Sequence, residues 1–236
     1  MKSSITVHRT GVLNQFKFDG GRGKAACIPI CVQALYHLHE ALEDGGKLLN
    51  PGQWKTVMER GTRVWELWRE RNPLVESSFP SIEEIIQLKE CEGFYRLFSK
   101  QADSFLGLVL HSDQIDNGQG PLNRVVCSLT NNTRTKLFTR TTPSSSCAIV
   151  ILPNHHSIAL IAYRDSVLFF DPHGTRGTDE TELVQFAHAG DVVPYFQKRY
   201  GYDPVDVIMS SELAHYYTDE LLQIQFGYSA TVFTTK

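Results

Sequence analysis

The segment GRGKAACIPICVQAL, residues 21–35, places a cysteine where a glycine-rich loop runs into an apolar helix, and a second cysteine four residues on. A thiol attacks as its thiolate, and free cysteine titrates near ~8.5, so a reactive one needs help. The first turn of a helix gives that help through unpaired N–H groups and the positive end of the dipole. Cys27 stands at such a start, with Gly20, Gly21 and Gly23 upstream to allow close backbone approach. Cys31 lies one turn further in, among the apolar residues of 30–38, and reads as core. Taken alone, Cys27 reads more readily as a small buried capping residue. A partner is needed to change that.

The partner stands far downstream, in LFFDPHGT, residues 168–175. In an extended segment, residues two apart point to the same side. Asp171 and His173 flank Pro172, which fixes its own φ and keeps the preceding residue extended. The carboxylate can therefore reach the imidazole and set its tautomer, as the third member of a triad does. The competing reading is a strand-ending turn in which Asp171 caps local backbone. Acyl chemistry also needs a donor for the developing oxyanion, and Gln15, twelve residues before Cys27, offers an amide. Cys27, Asp171, His173 and Gln15 together spell cysteine-nucleophile catalysis in the chain order Cys, Asp, His.

These residues need elements to hold them. Apolar Ile30, Ala34, Leu38 and Leu42 recur at helical spacing over 27–43, a helix ended by Gly45-Gly46, and Pro29 fits only its first turn. Residues 51–71 and 81–99 also read as helices, the second opened by Pro80-Ser81 as N-cap with Glu83 and Glu84 behind it. A short helix is expected at 120–131. CAIVIL (147–152), HSIALIAY (156–163) and SVLFFDP (166–172) form an antiparallel meander, and the first two are apolar enough for a sheet covered on both faces. Residues 180–200 read as helix, VDVIM (205–209) and YSATVF (228–233) as further strands, and Ile5 and Val7 as a short N-terminal strand. The fold class is α+β, helices packed on a mostly antiparallel sheet.

At 236 residues, the chain suits one domain, expected over 1–236 with a helical region at about 45–130. A net charge of −3 argues against nucleic acid as a partner. No apolar run approaches the roughly 20 residues that cross a bilayer, and the N-terminus lacks the apolar core of a secretory signal. The expectation is a cytoplasmic protein, without membrane association. The five cysteines are scattered and lack a CxxC pair, which argues against structural zinc and a disulfide framework. In YHLHE, His37 and His39 face apart on a helix, so with Glu40 they cannot grip one metal. No metal or other cofactor is expected. Trp54, Trp65 and Trp68 read as packing.

Gln15, Gly23-Lys24-Ala25-Ala26-Cys27, Cys31, His155-His156 and Phe170-Asp171-Pro172-His173 together resemble the ubiquitin-specific protease domain of the herpesvirus large tegument proteins and their tegument-like deubiquitinase relatives. The resemblance covers residues 10–40 and 145–210. It implies a papain-like cysteine protease fold, with Cys27 as nucleophile, His173 as general base, Asp171 as its orienter and Gln15 as oxyanion donor. One departure is Ala26, where the tegument pattern often has Gln. Autophagy cysteine proteases and UFM-specific proteases share the Asp-Pro-His box, and all cut after a ubiquitin-like C-terminus. In papain-like folds generally, the catalytic His opens one strand and Asp or Asn follows on the next. His156, fifteen residues before Asp171, suits that order and competes with His173.

The resemblance implies a deubiquitinase acting as a monomer on ubiquitin, polyubiquitin or a ubiquitin-like modifier, in the cytosol or a host's cytosol. Asp19, Asp165, Asp179 and Glu180 are candidates for acidic groove walls toward the modifier's Arg-containing tail. Two other readings stay open: a papain-fold glutamine deamidase or acyltransferase, and an inactive ubiquitin-binding module.

Overall fold

In the computed structural model, residues 4–22, 25–73, 79–108, 124–130, 145–152, 155–174, 178–200 and 227–236 are described. Seven strands build one sheet: β1 (Ile5–Leu13), β2 (Phe98–Leu108), β3 (Ser146–Leu152), β4 (His156–Tyr163), β5 (Ser166–Asp171), β6 (Glu180–Phe186) and β7 (Gly227–Thr235). Their order across the sheet is β1-β6-β5-β4-β3-β7-β2, and every neighbouring pair is antiparallel. The helices are α1 (Cys27–Glu43), α2 (Pro51–Arg71), α3 (Ile82–Ile86), α4 (Glu92–Leu97), α5 (124–130) and α6 (Val192–Tyr200).

Strand alternation explains the unbroken apolar runs. Ile149, Ala159, Ile161, Leu168 and Phe170 pack with α1 and α2, while Val150, Ile158, Leu160, Phe169 and Val184 pack with Val125 and Leu129 of α5 and Val192 and Phe196 of α6. Helix α1 lies between the sheet and the other helices, so its residues from Cys27 to Leu35 are buried all round. Asn50 caps α2 in a reciprocal capping box with Gln53, and Ser81 caps α3 in the same way with Glu84.

Helices 27–43 and 51–71 and the meander fall where the sequence places them. Three expectations are corrected. The helix expected over 81–99 is α3, a 3-10 turn (Lys89–Cys91) and α4, because Leu88 is extended (φ −70°, ψ 143°) and interrupts it. From Phe98 the chain becomes β2, paired with β7. The helix expected over 180–200 is β6 up to Phe186 and helix only from Val192. Pairing with β1 on one side and β5 on the other overrides the helical propensity of Glu180, Glu182 and Gln185. The N-terminal strand runs to Leu13, longer than Ile5 and Val7 suggest. VDVIM lies outside the described residues.

This topology brings several chain ends together. β4 starts at His156 where its antiparallel neighbour β5 ends at Asp171. β1 ends at Leu13 opposite Glu180, the start of β6. The N-terminus of α1 reaches the same rim, since Cys27 and Cys31 hydrogen-bond to residues 155 and 157.

Candidate active site

Asp171 is the centre of the site and is fully buried. Its Oδ1 accepts from His173 N at 2.8 Å, from His173 Nδ1 at 3.1 Å and from His156 Nε2 at 3.0 Å. Its Oδ2 accepts from Arg199 Nη2 at 2.8 Å and Tyr200 Oη at 2.6 Å. The carboxylate thus caps local backbone and holds an imidazole at once. Burial alone would raise its pKa, but hydrogen bonds from His156 and His173 overcome that and hold it well below the usual carboxylate range. The acid stays ionised.

With Nδ1–H of His173 donated to that anion, Nε2 is left as an acceptor, and Gln15 Nε2 lies 3.0 Å from it. Gln15 is buried and follows directly from β1, fixed by its own N–H to Pro172 O at 2.9 Å. Burial lowers the pKa of His173; the Asp171 hydrogen bond opposes this, while His156 and Arg199 add to it. The resting ring is neutral at pH 7. The His156 ring packs against it, tilted by 38° with centroids 3.6 Å apart. The turn carrying His173 closes at Gly174, at φ +72°, where a Cβ would sit 2.0 Å from Glu180 O.

Cys27 occupies the first turn of α1 and is 3% exposed. Its Sγ donates to His155 O at 3.0 Å and approaches Ser157 Oγ at 3.5 Å. Those residues flank His156, and among the described residues neither imidazole is hydrogen-bonded to the sulfur. Burial pushes the thiol up; the Ser157 hydrogen bonds and the Ile28 and Cys27 backbone amides pull it down without winning. The helix start does act on the sulfur as expected, yet burial outweighs it. Cys31 donates to Ser157 O at 3.5 Å and is core.

His156, Asp171 and His173 offer nitrogen and oxygen atoms within 4.8 Å of one another, a spacing a metal could use. The imidazole nitrogens facing Asp171 are both committed to Oδ1, and the Arg199 cation sits on Oδ2. The cluster is already a filled hydrogen-bond network, and we assign no metal to it. His37 lies beside Arg60 and Glu40, whereas His39 is buried against Ser145 and Phe98, so the two do point apart. Trp54 stacks on Phe170 at 4.7 Å and Trp65 on Trp68 at 5.4 Å, as packing residues.

The acidic candidates separate. Asp179 lies by the site, its carbonyl accepting from Asn14 N and its carboxylate paired with Lys17. Glu180 begins β6. Asp19 pairs with Arg22 and lines a cavity of about 460 Å³ against Glu59 and Glu66 of α2. Asp165 is in the β4–β5 turn, at the far end of those strands from His156 and Asp171, and is no wall of this site.

Sequence reading missed four participants: the His155 carbonyl, Ser157, Arg199 and Tyr200. Ser157 had a signal, since alternation along β4 puts it on the α1 side with Ala159 and Ile161. Arg199-Tyr200 read only as the end of a helix, where a cation is ordinary.

No family model matches the chain, and no curated protein does. Among solved structures, it is similar to the ubiquitin-specific protease of the murine cytomegalovirus tegument protein M48, solved in complex with a ubiquitin-based suicide substrate. The identity is 16% and the TM-score 0.57, covering 97% of this chain and 85% of that one. The Pseudomonas avirulence protein AvrPphB also matches, at 11% identity and a TM-score of 0.40, over 90% of this chain and 93% of that one. The chain has the papain-like cysteine protease fold, in the form found in the viral ubiquitin-specific protease.

Proposed function

We propose that this protein is a deubiquitinase, a cysteine isopeptidase that cleaves after the C-terminal glycine of ubiquitin or a ubiquitin-like modifier. The observation that carries the reading is the hydrogen-bonded line Gln15–His173–Asp171, joined through the His156 ring to the strand start whose His155 carbonyl and Ser157 hydroxyl hold the helix-start Cys27. The likeness in fold to a protease solved with a ubiquitin-based suicide substrate supports the choice of substrate.

In this reading, both reacting atoms are occupied at rest. The thiol donates its proton in a hydrogen bond to the His155 carbonyl, and Gln15 covers the basic nitrogen of His173. An entering glycyl carbonyl draws the Gln15 amide to itself. That frees Nε2 of His173 to take the thiol proton as sulfur attacks the carbonyl carbon. Gln15 and the Cys27 backbone N–H hold the oxyanion. Collapse expels the lysine amine, which takes the proton from His173, and leaves a thioester. Water, deprotonated by the same imidazole, releases the modifier. Asp171 holds the ring throughout and stays an anion.

A second reading of the base rests on one observation. His156 already gives Nε2 to Asp171, and its Nδ1 has no hydrogen-bond partner among the described residues. It lies between the two residues that touch Cys27. Steady-state rates decide: His173→Ala abolishes turnover and His156→Ala leaves most of it, and the reverse moves the assignment.

A ubiquitin C-terminal propargylamide probe labels Cys27 in the folded protein and not Cys27→Ala. Absence of labelling on a folded chain refutes the reading. A treated glutamine protein that gains about 1 Da, with ubiquitin conjugates untouched, would indicate a deamidase instead.

A further inference from the structure

Arg199 and Tyr200 end α6, on the sheet face opposite α1. One nitrogen of Arg199, Nη2, donates both to Asp171 Oδ2 at 2.8 Å and to Gly174 O at 2.9 Å. It therefore spans the Asp-Pro-His-Gly turn from beginning to end. The other nitrogen, Nη1, pairs with the buried carboxylate of Glu182 on β6 and donates to Tyr195 Oη at 3.2 Å. Tyr195 in turn donates to Glu182 Oε1 at 3.1 Å. Tyr200 Oη adds the shortest bond that Asp171 receives, at 2.6 Å, and its ring meets His156 edge-on at 5.3 Å.

We propose that Arg199 and Tyr200 are positioning residues that clamp the Asp171 carboxylate and the turn after it, and so aim the His173 ring at the reacting atoms. This rests on the cysteine-protease reading of the site. The clamp needs a planar fork with donors on two nitrogens, which lysine lacks. It also needs a phenol that stays protonated; burial, with Asp171 next, pushes Tyr200 well above the ordinary range.

The clamp has an electrostatic consequence. The groups facing His173 are Asp171 on β5, His156 on β4, Gln15 and Phe16 after β1, and Arg199 on α6. Arg199 is the fixed cation among them, and it lowers the pKa of His173. Removing its charge leaves only burial and His156 to oppose the anion, and His173 takes a proton more readily.

NMR titration of isotope-labelled histidines in the free protein tests this without any substrate. Arg199→Met moves the His173 midpoint up by about half a pH unit or more, while Arg199→Lys leaves it within a few tenths. Should Arg199→Met not fold, Glu182→Gln is the second variant; losing that anion strengthens Arg199's effect and moves the midpoint down. A folded variant with an unmoved midpoint overturns the proposal. In turnover, Arg199→Lys and Tyr200→Phe lower kcat tenfold or more with KM little changed. Full rates in both would equally overturn it. If the protein turns over no ubiquitin substrate at all, the function assignment fails while the titration still judges the clamp.

Discussion

At the residue scale, the resting Cys27 thiol and His173 ring are neutral and covered, and two predictions follow from that. Because burial pushes the Cys27 thiol up, alkylation of Cys27 by iodoacetamide is slow at pH 7 and speeds up only above the ordinary thiol range. Mass spectrometry against pH reads it; fast labelling at pH 6 would mean a thiolate paired with an imidazolium. In the proposed reaction Gln15 is the oxyanion donor, so Gln15→Ala lowers kcat by about 100- to 1,000-fold with KM little changed. Steady-state kinetics on a fluorogenic ubiquitin substrate measure that split. Much of this site is legible in the chain. Pro172 between Asp171 and His173 leaves little choice of geometry, and the resulting contact is local. Arg199 is not legible, since Asp171 and Gly174, its partners in the turn, stand 28 and 25 residues away and only the placement of α6 under β5 joins them.

Among the elements, α1 carries Cys27 and must be pressed to the sheet by α2. The crossing depends on Gly61, where a Cβ would fall 2.5 Å from Ile30 Cγ1 and 2.6 Å from Ile30 Cα. Gly61→Ala therefore forces the helices apart and costs about 1–3 kcal/mol, seen as a lowered melting temperature. Probe labelling of Cys27 slows in the same variant. Helices with strong period and explicit caps, such as α1 and α2, can be read from sequence because their signals are local. β6 cannot, because Thr181 to Phe186 takes its state from strands on both sides, and β1 is distant in sequence. β2 is hidden in the same way: its partner β7 lies more than a hundred residues on.

For the whole molecule, the site couples to acid stability. Asp171 is held below its ordinary range, so its contribution is complete above about pH 3.9 and is lost as pH falls further. The folded state also prefers neutral His173, whose lowered pKa makes stability decline already as pH drops below about 6.5. Thermal melts between pH 7 and 3 show a two-stage fall, and His173→Gln shrinks the upper stage, leaving the part due to His37 and His39, whose pKa values burial also lowers. A single fall near pH 4 in the wild type would contradict the neutral ring. The covered sulfur has one more consequence. A warhead that depends on a ready thiolate meets almost none here. Potency in an inhibitor must therefore come from a recognition segment that inserts beside Cys27 and displaces the Gln15 amide from His173 and the His155 carbonyl from the sulfur.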